Sequence, residues 1–397
     1  MKDYSICISE ITVTEIKTCE NAHSFLQSAM WGEFKSRFGW TAKAFLINWR
    51  SVETQETSLQ ETQETSTLLV LCRRLAPGFS FAYVPWGPEL PASFPQELKP
   101  LATAQLADKL KPFLSRNTSF IRFEPPWRMD KEQRTESKEQ RTENKEQRTE
   151  NKEQRADNNE MFLAVRFRKA AAVVQPPDTV IVDLTPSCEE ILAAMKPKWR
   201  YNVLLAGKKG VQVHSSGNSG DVSGGTNELE IFYKLLKETA LRDGIAVHHF
   251  DYYKTLFELC NEGTHNSIEA RLYTASHEGD FLASIFVLFR GEGATYLYGA
   301  SSNNKRNLMA PYALQWKAMQ DAKEARCRRY DLFGIPPNED PNHPMAGLYR
   351  FKTGFGGQII HRAGSWDYVY KSFFYNLFNF AEGLRKKLRD LKKKSNR

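Results

Sequence analysis

Apolar positions along this chain recur with two periods, and the periods alternate. Every-second-residue patterns predict strands over 42–48, 67–73, 79–84 and 119–124, and again over 179–184, 270–276, 281–290, 294–298 and 329–333. Spacings of three and four predict helices over 23–38, 228–242 and 311–325, the last carrying Tyr312, Leu314, Trp316 and Met319. A further helix follows the 179–184 strand, with Thr185 or Ser187 as N-cap and Pro186 at the first helical position in the former case. Gln175-Pro176-Pro177 interrupts the series, so the chain divides into two mixed α/β blocks, 1–174 and 175–363. Their related element order suggests a duplicated domain, although no sequence repeat links them. A polar Gly/Ser stretch over 214–225 is expected as a separator inside the second block.

Two repetitive stretches break the pattern. Residues 53–66 repeat an eight-residue unit beginning ETQETS, and residues 131–158 hold four copies of a heptad beginning KEQR. A seven-residue period invites a coiled coil, but no position of the unit is apolar, so there is no seam to bury. Like-signed pairs at helical spacing (Glu132/Glu136, Arg134/Lys138) also oppose a solitary helix. Both inserts are therefore expected to be solvated loops between strands, without function of their own.

The C-terminal piece, 364–397, has a different character. Phe373, Leu377, Phe380 and Leu384 recur at helical spacing, which predicts a helix whose apolar face packs on the first block. From 371 to 397 there are nine basic residues against Glu382 and Asp390, so this tail carries most of the net charge of +8. Its basic end must stay solvated and suits an anionic partner, either a bilayer surface or an RNA backbone.

Composition narrows the class further. With 41% hydrophobic and 12% aromatic residues over 397 positions, the chain can bury two real cores. No apolar run approaches the ~18 residues of a membrane span, and the first residues lack a signal-peptide apolar core, so a cytoplasmic protein is expected. Cys7, Cys19, Cys72, Cys188, Cys260 and Cys327 are scattered without metal-ligand spacing and read as reduced structural thiols. His248-His249, placed on a strand, would point to opposite faces, so no metal site is expected.

The richest segment is 294–364, which reads as strand, turn, helix, strand, long polar loop and a Phe-Lys pair closing on glycines. An ordered series of short motifs runs through the chain. It comprises Leu26-Gln27-Ser28 with Trp31 and Lys35, Tyr83-Val84-Pro85 before Gly87-Pro88, and Lys198-Trp199-Arg200-Tyr201-Asn202-Val203 before Ala206. The segment 239–245 and Tyr252-Tyr253 follow, then Tyr298-Gly299-Ala300-Ser301-Ser302 and Ala310-Pro311-Tyr312-Ala313-Leu314-Gln315-Trp316. Tyr330-Asp331-Leu332-Phe333-Gly334 and Gly347-Leu348-Tyr349-Arg350-Phe351-Lys352 complete it. Apart from the two inserts and the tail, this series resembles the peptidoglycan Fem family (FemABX-type aminoacyltransferases), and in particular its compact FemX-like branch without a coiled-coil arm. The resemblance implies an α/β (α+β) fold of two GNAT-like acyltransferase domains, with the C-terminal segment returning to the first.

It also implies a reaction: transfer of glycine, alanine or serine from aminoacyl-tRNA to a side-chain amine of a peptidoglycan stem peptide, on a UDP-linked or lipid-linked precursor. No cofactor is implied beyond the aminoacyl-tRNA donor. A lysine-type amine has a pKa of about 10.4, so freeing it at pH 7 costs roughly 4–5 kcal/mol. The enzyme must orient that amine, help remove its proton and stabilise an oxyanion. Lys352, before glycines that would let a ligand approach the backbone, is the expected cation at the oxyanion or the tRNA end, with Phe351 beside it. Asp331, at a strand end, is the expected proton acceptor. By resemblance Lys35 holds precursor phosphates, and Tyr83, Tyr252 and Tyr298 supply pocket hydroxyls. The family's second phosphate contact, an arginine before a tyrosine pair, is replaced here by His248 and His249. The basic segment around Pro197 (Lys196, Lys198, Arg200, Lys208, Lys209) suits either a solvated face or tRNA contact.

Two other classes compete. A GNAT-type acyl-CoA N-acyltransferase needs a Gly-rich pyrophosphate loop, whereas 302–311 has no glycine and Pro311 removes a donor. A non-catalytic RNA- or membrane-binding module would use the basic tail alone.

Overall fold

The computed structural model describes residues 2–18, 24–55, 58–92, 94–128, 162–216, 222–261 and 268–395. The chain forms two compact units, Met1–Pro177 together with His361–Arg397, and Asp178–Ile360. Unit 1 begins with β1 (Lys2–Ile11), α1 (Ala29–Ser36), the long hairpin β2 (Thr41–Gln55) and β3 (Ser58–Ala76), and β4 (Phe79–Val84). It continues through α2 (Lys99–Leu110), β5 (Thr118–Phe123) and β6 (Phe167–Lys169). Unit 2 comprises β7 (Asp178–Asp183), α3 (Cys188–Ala194), α4 (Pro197–Lys208), β8 (Gln212–Ser216), α5 (Val222–Asp243) and α6 (Phe250–Asn261). Then come β9 (Glu269–His277), β10 (Asp280–Arg290), β11 (Gly293–Ser301), α7 (Ala310–Glu324), β12 (Arg329–Asp331), α8 (Ala346–Thr353) and β13 (Gln358–His361). The chain returns to unit 1 with β14 (Trp366–Val369) and α9 (Ser372–Ser395).

The two sheets share one strand order and sense through their first five strands, although different parts of the chain fill the last two positions. Unit 1 runs β1-β2-β3-β4-β5-β14-β6, and unit 2 runs β8-β9-β10-β11-β12-β7-β13. In each, three antiparallel pairings lead to one parallel pair, β4 with β5 and β11 with β12, followed by an antiparallel neighbour. The duplication expected from element order is thus present in the backbone. The parallel pair of unit 1 is buried along nearly its whole length, because helices cover both faces. On one face α2 presents Ala102, Leu106, Ala107 and Leu110 to Phe45, Ile47 and Leu68. In unit 2, Leu314, Ala318, Met319 and Ala322 of α7 do the same against Ile285 and Val287.

Several expectations need correction. The described part of the insert over 53–66 is not a loop: residues 53–55 lie in β2 and 58–66 in β3, with Val52 opposite Glu61 and Gln55 opposite Ser58. Its polar, Thr-rich alternation suits strands at the end of the sheet, where β1 pairs with β2 as far as Glu53. The insert over 131–158 lies outside the described residues. The separating stretch is shorter than expected, because β8 reaches Ser216 and α5 already begins at Val222. His248 and His249 sit in the loop before α6 rather than on a strand. Ser187 is the N-cap of α3, in a reciprocal capping box with Glu190, which excludes the Thr185 alternative.

The C-terminal helix forms, but turned the other way. Phe374 stacks on Phe79, Phe378 packs tilted on Phe79 and stacks on Phe81, and both Tyr375 and Phe378 touch Phe120. Phe373, Leu377, Phe380 and Leu384, the set expected to pack, face outward. The helix carries two apolar stripes, and the aromatic edge of β4 and β5 selects the one that spacing alone does not favour.

Candidate active site

In unit 2 the chain turns sharply after β12. Phe333 adopts a left-handed conformation (φ 58°), and the carboxylate of Asp331 stabilises it by accepting from the Phe333 amide at 2.7 Å and from the Thr179 hydroxyl. The turn aims two carbonyls, Phe333 O and Gly334 O, at one point. Lys352 Nζ donates to both, at 3.2 and 3.0 Å. Lys352 is therefore no loop lysine. It lies within α8 and is 6% exposed. Burial pushes its pKa down to about 7, against the pull of the nearby Asp331 carboxylate. The ring of Tyr296 lies 5.0 Å from the ammonium. An ammonium has three N–H donors, so two carbonyls leave one for another acceptor.

The glycines after Lys352 serve a different purpose from the one expected. A Cβ on Gly354 would sit 2.0 Å from the Trp199 ring, one on Gly356 2.6 Å from Ala194 O, and one on Gly357 2.6 Å from Val180. They let protein, not ligand, approach the backbone. Trp199 in turn donates its Nε1–H to Phe351 O at 2.8 Å, which pins the last turn of α8 to α4. Phe351 is half-buried against Tyr312 and Phe355. The glycine-flanked Phe-Lys pair is a rigid seat.

Tyr296 and Tyr298 would share a face in a regular strand. A bulge pairs Phe286 with Tyr298 and Val287 with Tyr296, leaving Leu297 as the extra residue. Tyr296 therefore joins the α7–α8 face beside Lys352, while Tyr298 packs on Tyr253 and Phe286. The Tyr298 and Tyr252 hydroxyls are hydrogen-bonded to each other, and the Tyr252 ring stacks on His248 at 3.8 Å. These two tyrosines form one cluster on the side of the sheet opposite Lys352. Gly299 is required by the same bulge, since a Cβ there would overlap the Tyr296 hydroxyl.

Unit 1 holds the remaining candidates. Lys35 lies on α1 among three rings, its Nζ 5.6 Å from Trp31, 5.8 Å from Phe34 and 5.7 Å from Trp40. Arg73, which the sequence reading missed, approaches the same Trp40 ring at 5.3 Å. Burial and the Arg73 charge lower the Lys35 pKa to about 8. Two cations sharing one indole form a shelf suited to an anion with more than one charge. The detectable signal was positional: alternation along β3 puts Arg73 on the face opposite Cys72. Tyr83 is buried, and its hydroxyl donates to the Glu124 carboxylate. Glu124 also accepts from Ser365 Oγ and the amides of Val174 and Gln175, so this pair braces the interior of unit 1. Of the basic segment, Arg200 caps the carbonyls of Ala193 and Met195, while Lys196, Lys198, Lys208 and Lys209 are exposed. Among the described residues no group of three His, Cys, Asp or Glu side chains could hold a metal ion.

Two α/β units with one shared strand order, the second holding a buried lysine just beyond its parallel strand pair, define a tandem α/β fold. The chain belongs to the FemAB family, whose model matches residues 11–265 and 264–383. It is 25% identical over 264 residues to the Lipid II:glycine glycyltransferase of Staphylococcus haemolyticus, a match covering 51% of this chain and 61% of that protein. The Staphylococcus aureus protein of the same name is 23% identical over 267 residues, with the same shares. The matched region thus spans about three-fifths of the length of these relatives. The crystal structure of FemX superposes with a TM-score of 0.68 at 20% identity, covering 94% of this chain and 99% of that one, and shows the same fold.

Proposed function

We propose that the chain is an aminoacyltransferase that moves an amino acid from aminoacyl-tRNA to the side-chain amine of a peptidoglycan stem peptide. The observation that carries this reading is Lys352, a buried ammonium held by two carbonyls with one N–H left over. The amine attacks the ester carbonyl, a C–N bond forms, the C–O bond to the tRNA ribose breaks, and the amine's proton ends on the leaving ribose oxygen. Lys352 donates its remaining N–H to the oxyanion between those steps. Asp331, already engaged by Thr179 and Phe333, is assigned as a positioning residue that shapes the turn and favours the charged form of Lys352, rather than as the proton acceptor.

Lys35 and Arg73 bind the precursor's phosphates, with Arg73 supplying the second contact that His248 and His249 do not. No cofactor enters the reaction. The names of the curated relatives favour glycine as the donor residue and a lipid-linked acceptor. A coenzyme A donor gains no support: the loop into α7 has left-handed Lys305 and Met309, and Pro311 removes an amide from the first turn. The test is incubation of the purified chain with charged tRNAs and with UDP-linked and lipid-linked precursors, read by mass spectrometry of the stem peptide. Addition of one or more residues is expected; no transfer with any charged tRNA to either acceptor overturns the proposal.

A further inference from the structure

The outward face of α9 is unlike the rest of the surface. Phe373, Leu377, Phe380, Leu384 and Leu388 are 75%, 55%, 72%, 51% and 53% exposed. At ~100° per residue they fall within an arc of roughly 80°, one continuous stripe along four turns. The opposite side of the helix is already occupied by its contacts with Phe79, Phe81 and Phe120. Arg385 and Lys387, both exposed, fall on either side of the stripe, although Arg385 also pairs with Glu382 at 2.7 Å. Beside the first turn of α9, a cleft is lined by Lys111, Arg116, Tyr370 and Lys371, and Arg168 of β6 donates to Asn376 at 3.1 Å.

We infer that this face of α9 is a docking surface for an anionic lipid bilayer, with the stripe entering the headgroup–acyl boundary and the flanking bases meeting lipid phosphates. Charge complementarity selects this occupant. An RNA backbone would satisfy the bases but leave five large apolar side chains in water. A second copy would cover the stripe but bring together two tails that each carry nine basic residues against two acidic ones over 371–397. A bilayer interface accepts both features at once. Among the described residues no helix is long and apolar enough to cross a membrane, so α9 lies on the surface.

This inference deepens the proposed reaction by holding the enzyme where a lipid-linked acceptor resides. Its test nevertheless reads binding without turnover. The full chain and a Phe373→Ser/Phe380→Ser/Leu384→Ser variant are sedimented with phosphatidylglycerol-containing vesicles and with pure phosphatidylcholine vesicles. The native chain is expected to bind the anionic vesicles and the variant at least tenfold more weakly, with unchanged circular dichroism. Failure of the native chain to bind at physiological salt, or equal binding by both proteins, overturns the inference. So does a native dimer that the variant dissolves, which makes a second copy the occupant. A loss of charged-tRNA binding equal to the loss of vesicle binding overturns it as well. If transfer to both the UDP-linked and the lipid-linked acceptor is absent while vesicle binding behaves as expected, only the proposed reaction fails.

Discussion

Each unit buries a cation beside its parallel strand pair, with opposite results. In unit 1, Arg122 of β5 meets both oxygens of Asp367 at 2.7 and 2.8 Å and donates to Ala172 O at 3.0 Å. The pair holds the guanidinium above its ordinary pKa despite burial. In unit 2, Lys352 receives two carbonyls and only the through-space influence of Asp331, and its pKa falls to about 7. One topology therefore supports two treatments of charge. A bidentate partner closes the cation of unit 1 into structure, and its absence leaves that of unit 2 available for chemistry.

This contrast makes Asp367→Ala the most damaging substitution. It strands a buried guanidinium and is expected to cost about 3–5 kcal/mol in chemical denaturation. A loss under about 1 kcal/mol would mean the pair is not the brace described. Lys352→Ala should do the reverse, cutting turnover roughly 10²-fold or more without unfolding the protein. If it unfolds the protein instead, Lys352 belongs with Arg122 as structure.

The pH dependence of stability sharpens the same point. Unfolded, Lys352 binds its proton below a pH of about 10.4; folded, it does so only below about 7. Between those values the unfolded state holds more protons, so this group lowers stability progressively as pH falls from about 10 toward 7. Lys352→Met should remove that slope, and its stability relative to the native protein should be highest near pH 7 and decline as pH rises. A flat difference across that range would show an ordinary lysine pKa.

Smaller effects test the supports. Gly354→Ala places a methyl group inside the Trp199 ring and is expected to cost about 1–3 kcal/mol, measurable by thermal melting, with turnover falling as the α8 seat loosens. Arg73→Ala should raise KM for the phosphate-bearing acceptor several-fold with kcat little changed, the pattern of a contact made equally in ground and transition states. A change in kcat alone would remove Arg73 from the binding shelf.

Much of this was readable from the chain, and the failures share one cause. The strand at Phe79–Val84 has the bounds its pattern predicts, and the duplicated order of elements is the duplicated topology. Lys352 was singled out, but neither its place in a helix nor its burial was foreseen. Its burial depends on Phe333 and Gly334, 19 and 18 residues away, and on a left-handed turn that the sequence does not announce. Alternation puts Tyr296 and Tyr298 on one face, and only pairing with β10 reveals the bulge that separates them. The outward turn of α9 is equally non-local, because aromatic rings on β4 and β5 choose the stripe. Periodicity reports which residues can be buried together; partners distant in sequence decide which are.

The return of β14 to the first sheet has a consequence for how the protein is made. Asp178–Ile360 is continuous and can fold as soon as it leaves the ribosome. The sheet begun at Lys2 lacks the strand between β5 and β6 until residues 366–369 emerge, and Arg122 waits 245 residues for Asp367. The part of the chain synthesised first is thus finished last. Through most of synthesis it presents an open strand edge and an uncompensated cation, and a ribosome stalled shortly before residue 366 would leave one complete domain tethered to an aggregation-prone half.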